Sequence, residues 1–388
     1  MRVVVLAHVF PRTIDDSMGA FLLHLADALA ERGVKTDVVV PHAAGLADEE
    51  TIGSAHVHRF RYALESQEQL AYQGTMHEIV GRGVVNKILF ALFNLAFLFK
   101  SLSVVWSVKP QVIHAHWWLP DGFVGAIVSI LTRTPLVVTT HGTDVEMLRR
   151  KKWAIPLARF TFSCARAITC GSTYLRDQLL SLGVADEKRV SVVPMPVNPV
   201  FSVQCSVTRA QNLVLTIARL TAQKSIDTLI DAIALVPDAR LKIIGDGPER
   251  AALEKQTRDL NLQDRVEFVG ALPQTELLRY YAECVVFVLP SIREGMGLVF
   301  AEALLCGASV IAANSGGVTD IVRDCETGLL VPERDSQALA NAIAKILDDR
   351  ALATRLAENG RKLVQERYTQ GQVAMQFANV YQSVKRKT

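Results

Sequence analysis

Several absences narrow the reading before any motif is sought. The six cysteines, at 164, 170, 205, 284, 306 and 325, never form a CxxC spacing. Cysteine alone therefore marks neither a zinc ribbon nor a dithiol redox centre. Most lie in apolar runs, where a cysteine acts as a small hydrophobe, and a reduced, cytoplasmic setting is expected. No G-x-G-x-x-G follows the first strand pattern, which disfavours a dinucleotide oxidoreductase. The most apolar run, from Ile88 to Phe99, has twelve residues, too few for a spanning helix, which needs about 20. The chain opens Met1-Arg-Val-Val-Val-Leu6, directly into a strand pattern, so no signal peptide is expected. Net charge is low, at +3.

What is present fits a large globular protein. The 388 residues exceed one ordinary core and suit two domains. Half of them are apolar and 21% are charged, as in folded rather than disordered chains. The charge is unevenly spread: 11 Lys or Arg stand against three acids between Arg82 and Arg166. The run from Ile88 to Phe99 lies in this basic stretch, between Lys87 and Lys100. A buried helix covering a sheet, with lysines at its solvated ends, is the preferred reading. Contact with an anionic membrane is the alternative.

Short β-rich runs alternate with helical patterns, the mark of α/β units on parallel sheets. Strands are expected at residues 3–7, 35–40, 56–61, 111–115, 136–140, 167–170 and 190–193. Pro194-Met-Pro-Val-Asn-Pro199 then reads as a linker. A second series follows at 213–218, 240–245, 266–270, 285–289, 309–312 and 328–331. The expectation is two Rossmann-like domains, residues 1–198 and 199–369. A C-terminal helix, 370–388, is expected to rejoin the first. Ligands in such folds bind beyond the carboxyl ends of the strands, and the cleft between domains is the default site.

Six segments carry candidate chemistry. Glu294-Gly-Met-Gly-Leu-Val-Phe-Ala-Glu302 lies between an apolar strand and an apolar helix. A glycine turn at a helix start attracts phosphate, and two flanking carboxylates suit sugar hydroxyls. Arg219 and Lys224 follow the first strand of the second series, where a guanidinium fork and an ammonium suit a diphosphate. Two solvated loop cations are the bland alternative. Gly245-Asp-Gly-Pro-Glu249 either lines a nucleotide pocket or is a plain strand–helix turn.

His114-Ala-His116-Trp117-Trp118 ends a strand, with both histidines expected on one face. No third ligand stands at suitable spacing, so no metal is assigned. His116 suits a substrate hydroxyl; Trp117 and Trp118 suit a sugar face or the core, with core favoured for one of them. His141-Gly-Thr-Asp144 again follows a strand, and the basic run Arg149 to Lys152 after it suits an acidic acceptor or a solvated helix face. The long first turn runs from His8 to Gly19, and long loops in compact domains tend to be functional. Ser315-Gly-Gly317 is a further glycine turn before a helix.

Together these residues resemble the retaining GT-B glycosyltransferases, and within them the family 4, or Glu-x7-Glu, group. The resemblance covers nearly the whole chain. It implies a GT-B fold, α/β, with two Rossmann-like domains facing across a cleft. The carboxyl half would bind a nucleotide sugar and the amino half the acceptor. Arg219 and Lys224 would hold the diphosphate, Glu294 the donor sugar and Glu302 the ribose. Gly295, Met296, Gly297, Leu298 and Val299 would line the sugar and phosphates, with Gly245 on the donor side. His116 would lie beside the reacting sugar, and Gly19 would border the phosphates. Trp117, His141 and Asp144 are acceptor-side candidates.

Three departures stand out: Met18 where the family has a paired glycine, Asp320 for its usual glutamate, and Pro194-Met-Pro-Val-Asn198 for its interdomain pattern. The resemblance implies sugar transfer from a nucleoside-diphosphate sugar, with UDP the preferred carrier and no cofactor. The acceptor would be a saccharide or lipid-linked hydroxyl in polysaccharide or glycolipid biosynthesis. A cytoplasmic setting is expected, with peripheral contact at the inner membrane face as the alternative to a helix wholly buried, and no nucleic acid is implied. A nucleotide-sugar epimerase of the same shape and a non-catalytic partner subunit remain the alternatives.

Overall fold

The computed structural model describes residues 1–72, 76–81, 83–202 and 209–385. Arg82, Cys205, Arg386 and Lys387 fall outside these. The chain divides into two compact units. One comprises Met1–Pro196 and Gln370–Thr388, the other Val197–Thr369.

The first unit is built on eight strands: β1 (Arg2–Leu6), β2 (Lys35–Pro41), β3 (Glu49–Ile52), β4 (Ala55–Phe60), β5 (Val112–His116), β6 (Leu136–Thr140), β7 (Ala167–Cys170) and β8 (Val190–Val192). Their order is β3-β4-β2-β1-β5-β6-β7-β8, and within it only the β3–β4 pair is antiparallel. The inner strands are buried along most of their length, polar residues such as Asp37 and His114 included, because helices cover both faces of a parallel sheet. Leu6 pairs with Val39 on one side and Ala115 on the other, which brings the ends of β1 and β5 together. The C-terminal helix Gln370–Val384 packs against Ala20–Ala30 in this unit.

The expected twelve-residue apolar helix is longer than the sequence reading allowed. It runs from Val84 to Val108, 25 residues. Lys87 and Lys100 sit within it rather than at its ends, and Lys109 in the left-handed region terminates it. By length and composition it could cross a membrane. Its packing assigns one face to the core instead. Phe93 and Phe97 are fully buried, and Phe97 stacks on Phe60 of β4 at 4.7 Å.

The second unit has six strands: β9 (Leu213–Ile217), β10 (Arg240–Ile244), β11 (Val266–Gly270), β12 (Val286–Leu289), β13 (Ser309–Ala313) and β14 (Leu329–Val331). All pair in parallel, in the order β11-β10-β9-β12-β13-β14. The sheet has its own core, with Phe287 and Phe300 fully buried at its centre.

Candidate active site

In an open parallel sheet, ligands bind beyond the carboxyl ends of the strands where neighbouring connections diverge. In the second unit that point lies between β9 and β12. The loop after β9 carries Arg219 and Lys224, and the loop after β12 carries Glu294. Lys224 Nζ donates to Glu294 Oε2 at 2.6 Å. Both side chains are largely shielded, at 20% and 17% exposure. Arg219 is exposed, with no hydrogen-bond or ion-pair partner among the described residues. The Lys224–Glu294 pair thus stands at the topological switch of this sheet, with Arg219 on the same loop as Lys224.

The Glu294 loop is fixed from two sides. Ile292 N donates to Gln223 O at 2.8 Å, which ties it to the loop of Lys224. Arg293 N donates to Ser315 Oγ at 2.8 Å, and Gly317 N to Glu294 O at 2.7 Å. Ser315 Oγ in turn donates to Glu333. A Cβ on Gly316 would lie 2.4 Å from Glu294 O, so the Ser315-Gly-Gly317 turn closes on the Glu294 backbone as only glycine can. Gly297, at φ 80°, begins the helix Leu298–Leu305. Gly295, Met296, Leu298 and Val299 lie on this turn and the start of the helix.

Glu302 differs from the open ribose ligand that the resemblance implies. It is buried, at 5% exposure. Tyr281 Oη donates to its Oε2 at 2.9 Å and Gln274 Nε2 to its Oε1 at 3.1 Å. Burial pushes its carboxyl up to about 7, against the opposing pull of these two hydrogen bonds. Asn198 Nδ2 donates to Gln274 Oε1 at 3.0 Å and orients that amide. Tyr281 and Gln274 belong to no motif, and their helix reads from sequence as ordinary.

This burial has a consequence for stability. The folded value of about 7 exceeds the ordinary 4.5, so folding takes up a proton between them. Stability contributed by Glu302 is therefore greatest at low pH and is lost as pH rises through 7. Glu302→Gln keeps a neutral acceptor for Tyr281. Thermal unfolding should show the variant gaining on the wild type from pH 5 to pH 8, by up to about 3 kcal/mol. An unchanged difference across that range would contradict a carboxyl held neutral by burial.

Gly245 is required by the turn in which it sits. A Cβ there would lie 1.9 Å from Ala218 O, and one on Gly247 would lie 2.2 Å from Leu220 O. The close approach is to the chain's own backbone on either side of Arg219. Leu220 N donates to Asp246 O at 2.9 Å, so this turn sets the path of the Arg219 loop.

In the first unit the switch point lies between β1 and β5. His8 leaves β1, and Asp121 follows β5. His8 Nδ1 and Asp121 Oδ2 are 2.6 Å apart. Asp121 is fully buried, and burial pushes its carboxyl up to about 6, opposed by His8. Its Oδ1 has no partner among the described residues. Both residues fall in segments marked from sequence, but nothing there pairs them; they lie 113 positions apart. The adjacency of β1 and β5 is the signal that unites them.

His114 and His116 do share a face, with ring centroids 4.1 Å apart. His114 is a core group: its nitrogens meet Tyr381 Oη at 2.7 Å and Thr139 Oγ1 at 2.6 Å. His116 Nδ1 lies 2.9 Å from His141 Nε2, while His116 Nε2 has no partner among the described residues. Burial holds both rings neutral, with His141 down to about 3 and His116 well below its ordinary value. Trp117, at φ 68°, packs on His8 and His141 at 4.6 and 4.3 Å. Trp118 is the core tryptophan, fully buried, with Nε1 donating to Asp144 O.

Asp144 is not available to an acceptor. Its Oδ1 accepts from the backbone N–H groups of His141, Gly142 and Val145, and its Oδ2 from that of Trp118. Those bonds hold the His141 loop against the β5 loop. Gly19 starts the helix Ala20–Ala30 at φ 75°, within 3.1 Å of the Phe10 backbone for any added Cβ. Arg12 and Asp16 tie that loop together at 2.6 Å. Among the described residues, the one group near enough to share a metal is Asp37, His56 and His58, and Arg2 already donates to both Asp37 oxygens.

Comparison with known proteins bears on family and fold. The family model "Glycosyltransferase Family 4" matches residues 18–201, and "Glycosyl transferases group 1" matches residues 206–363. An uncharacterized glycosyltransferase of Methanocaldococcus jannaschii is 25% identical over 98% of each chain. The structure of sucrose-phosphate synthase from Thermosynechococcus elongatus superposes with a TM-score of 0.80. It is 25% identical and covers 99% of this chain and 98% of its own. HepE of Anabaena, solved in complex with UDP-glucose, shares the fold with a TM-score of 0.72. It is 21% identical and covers 99% of this chain and 100% of its own. The chain belongs to the family 4 glycosyltransferases and has the GT-B fold.

Proposed function

We propose that the enzyme transfers a sugar from a nucleoside-diphosphate sugar, with UDP as the carrier, and retains its anomeric configuration. The observation that carries this reading is the Lys224–Glu294 pair at the β9–β12 switch point, with exposed Arg219 on the same loop as Lys224. Each group has a task in the reaction. Arg219 and Lys224 bind the diphosphate and stabilise the charge that grows on it as the sugar leaves. Glu294, held by its backbone to Gly317, positions the donor sugar through its hydroxyls. The bond from the anomeric carbon to the phosphate oxygen breaks, and the acceptor oxygen bonds to the same face of that carbon. The acceptor proton passes to the departing phosphate oxygen. No protein nucleophile enters this scheme, and it requires no cofactor.

His116 Nε2 and the His8–Asp121 pair belong to the first unit, to which we assign the acceptor. Trp117 and His141 offer it an aromatic wall. We place the acceptor among saccharide or lipid-linked hydroxyls, and the enzyme in the cytoplasm. HepE, which has the same fold and holds UDP-glucose, supports the choice of carrier.

A thermal-shift screen against UDP-, GDP- and ADP-glucose tests the donor. A ligand that binds only the folded state stabilises it by about 2.7 kcal/mol at a hundred times its Kd. The UDP-sugar should raise the melting temperature most. A rise with GDP- or ADP-glucose alone would overturn the carrier, and no rise with any of them would overturn the donor site.

A further inference from the structure

The helix Val84–Val108 has two apolar faces, and its packing uses one. Phe93, Phe97, Leu102, Val104 and Val105 are buried against the sheet. On the other face Val85, Ile88, Leu92, Leu95, Phe99 and Trp106 are 47–77% exposed. Their spacing of three, four and seven residues keeps them in one stripe along an α-helix. From Val85 to Trp106 the stripe is about 31 Å long at 1.5 Å per residue. An exposed apolar patch of this length marks an interaction surface.

The charge around it selects the partner. The helix holds Lys87 and Lys100 and no acid. The helix Phe123–Thr132 packed against it has no charged residue, and Ile155–Cys164, packed on that helix in turn, adds Arg159 and no acid; the short helix Met76–Gly81, also packed against Val84–Val108, holds one acid, Glu78. Lys100 donates to Glu49 at 3.0 Å, whereas Lys87 on one flank of the stripe and Lys109 just past its end are exposed, and such long side chains can keep their ammonium groups at a polar interface. Exposed Ile130 and Leu131 extend the apolar surface on the helix next to it. An apolar stripe with a tryptophan at one end and flanking cations is the pattern of a helix that lies in the plane of an anionic bilayer.

We infer that this face of the first unit docks on an anionic lipid membrane, with the stripe of Val84–Val108 in the interface. The helix lies on the bilayer and does not cross it. Crossing would pull Phe93 and Phe97 from the core, where both pack against Phe60. The inference does not rest on the donor reading, because the stripe lies in the unit that lacks Lys224 and Glu294.

Vesicle co-sedimentation of the full chain tests it, with phosphatidylcholine alone and with phosphatidylcholine containing phosphatidylglycerol. The wild type should sediment with the anionic vesicles and be released by salt. Leu92→Asp with Phe99→Asp, both at exposed positions, should reduce that binding at least ~tenfold. Lys87→Glu should reduce it selectively on anionic vesicles. The melting temperature and its shift with UDP-glucose should stay unchanged in these variants, which separates this face from the donor site. Wild-type protein that remains in the supernatant with both vesicles would overturn the inference. So would equal binding by the double variant. A lipid-free dimer by light scattering that the same variant dissociates would assign the face to a second copy instead.

Discussion

Lys224→Ala should lower transfer about 10²–10³-fold, as loss of one preorganised charge at a leaving group does. UDP release from the donor in the presence of acceptor measures it. Lys224 is the sole cation within hydrogen-bond distance of Glu294 among the described residues. Glu294→Gln should fall by a similar factor, since a neutral amide both loosens Lys224 and weakens its hold on the sugar. The two effects should not add. Groups joined at 2.6 Å act as a unit, so the double variant should be only slightly slower than either single one. Near wild-type turnover in either single variant would remove that residue from the scheme. Melting temperatures close to wild type would show that the loss is chemical rather than structural.

Gly245→Ala should be the most damaging single substitution for stability. The new methyl would lie 1.9 Å from Ala218 O, and the backbone there holds φ at 131°. Neither partner is a flexible side chain, so β9, β10 or the Arg219 loop must shift. A cost of about 3–5 kcal/mol is expected, at the upper end for point substitutions. Gly33→Ala is the control. It too has a left-handed φ, of 73°, but nothing lies within 4 Å of its Cβ, so only backbone strain of about 1 kcal/mol remains. Urea unfolding of the two variants measures the contrast. Equal destabilisation would mean that the close approach to Ala218 is not what requires glycine at 245.

The second unit's parallel strands could be read from sequence because burial on both faces leaves continuous apolar runs. The strand β3 could not. Glu49-Glu-Thr-Ile52 is a polar edge strand, paired antiparallel to β4, and has no such signature. The full length of the helix Val84–Val108 is not legible in the sequence because Lys87 and Lys100 bracket its most apolar run and read as ends. They project from its flanks, and the helix continues through Ser101 and Ser103 to Val108.

The site divides along similar lines. Lys224 and Glu294 each lie in a strand-end segment marked in the sequence, and the adjacency of β9 and β12 in the folded sheet is what joins them. His8 and Asp121 each sit in a marked segment, at the start of the long first turn and just past the histidine–tryptophan run, but the sequence does not show that the two segments meet. Tyr281 and Gln274 reach Glu302 from a helix whose sequence carries no sign of a polar contact. Asp144 shows the converse error. A carboxylate in a strand-end loop reads as a ligand, yet four backbone N–H groups occupy it. Gly245 likewise marks a close approach, but to the protein itself.

The central claim is that the β9–β12 switch point holds the donor diphosphate. Titration of UDP into the wild type and into Arg219→Ala, followed by calorimetry, tests it most directly. Arg219 is exposed and unpaired among the described residues, so its removal leaves no internal bond broken. A hydrogen bond to a charged group contributes about 1.5–3 kcal/mol, which corresponds to roughly a 10–100-fold loss of UDP affinity. Weakening of that size, with the melting temperature of the ligand-free protein unchanged, is the predicted result. Equal UDP affinity in the two proteins would contradict the account.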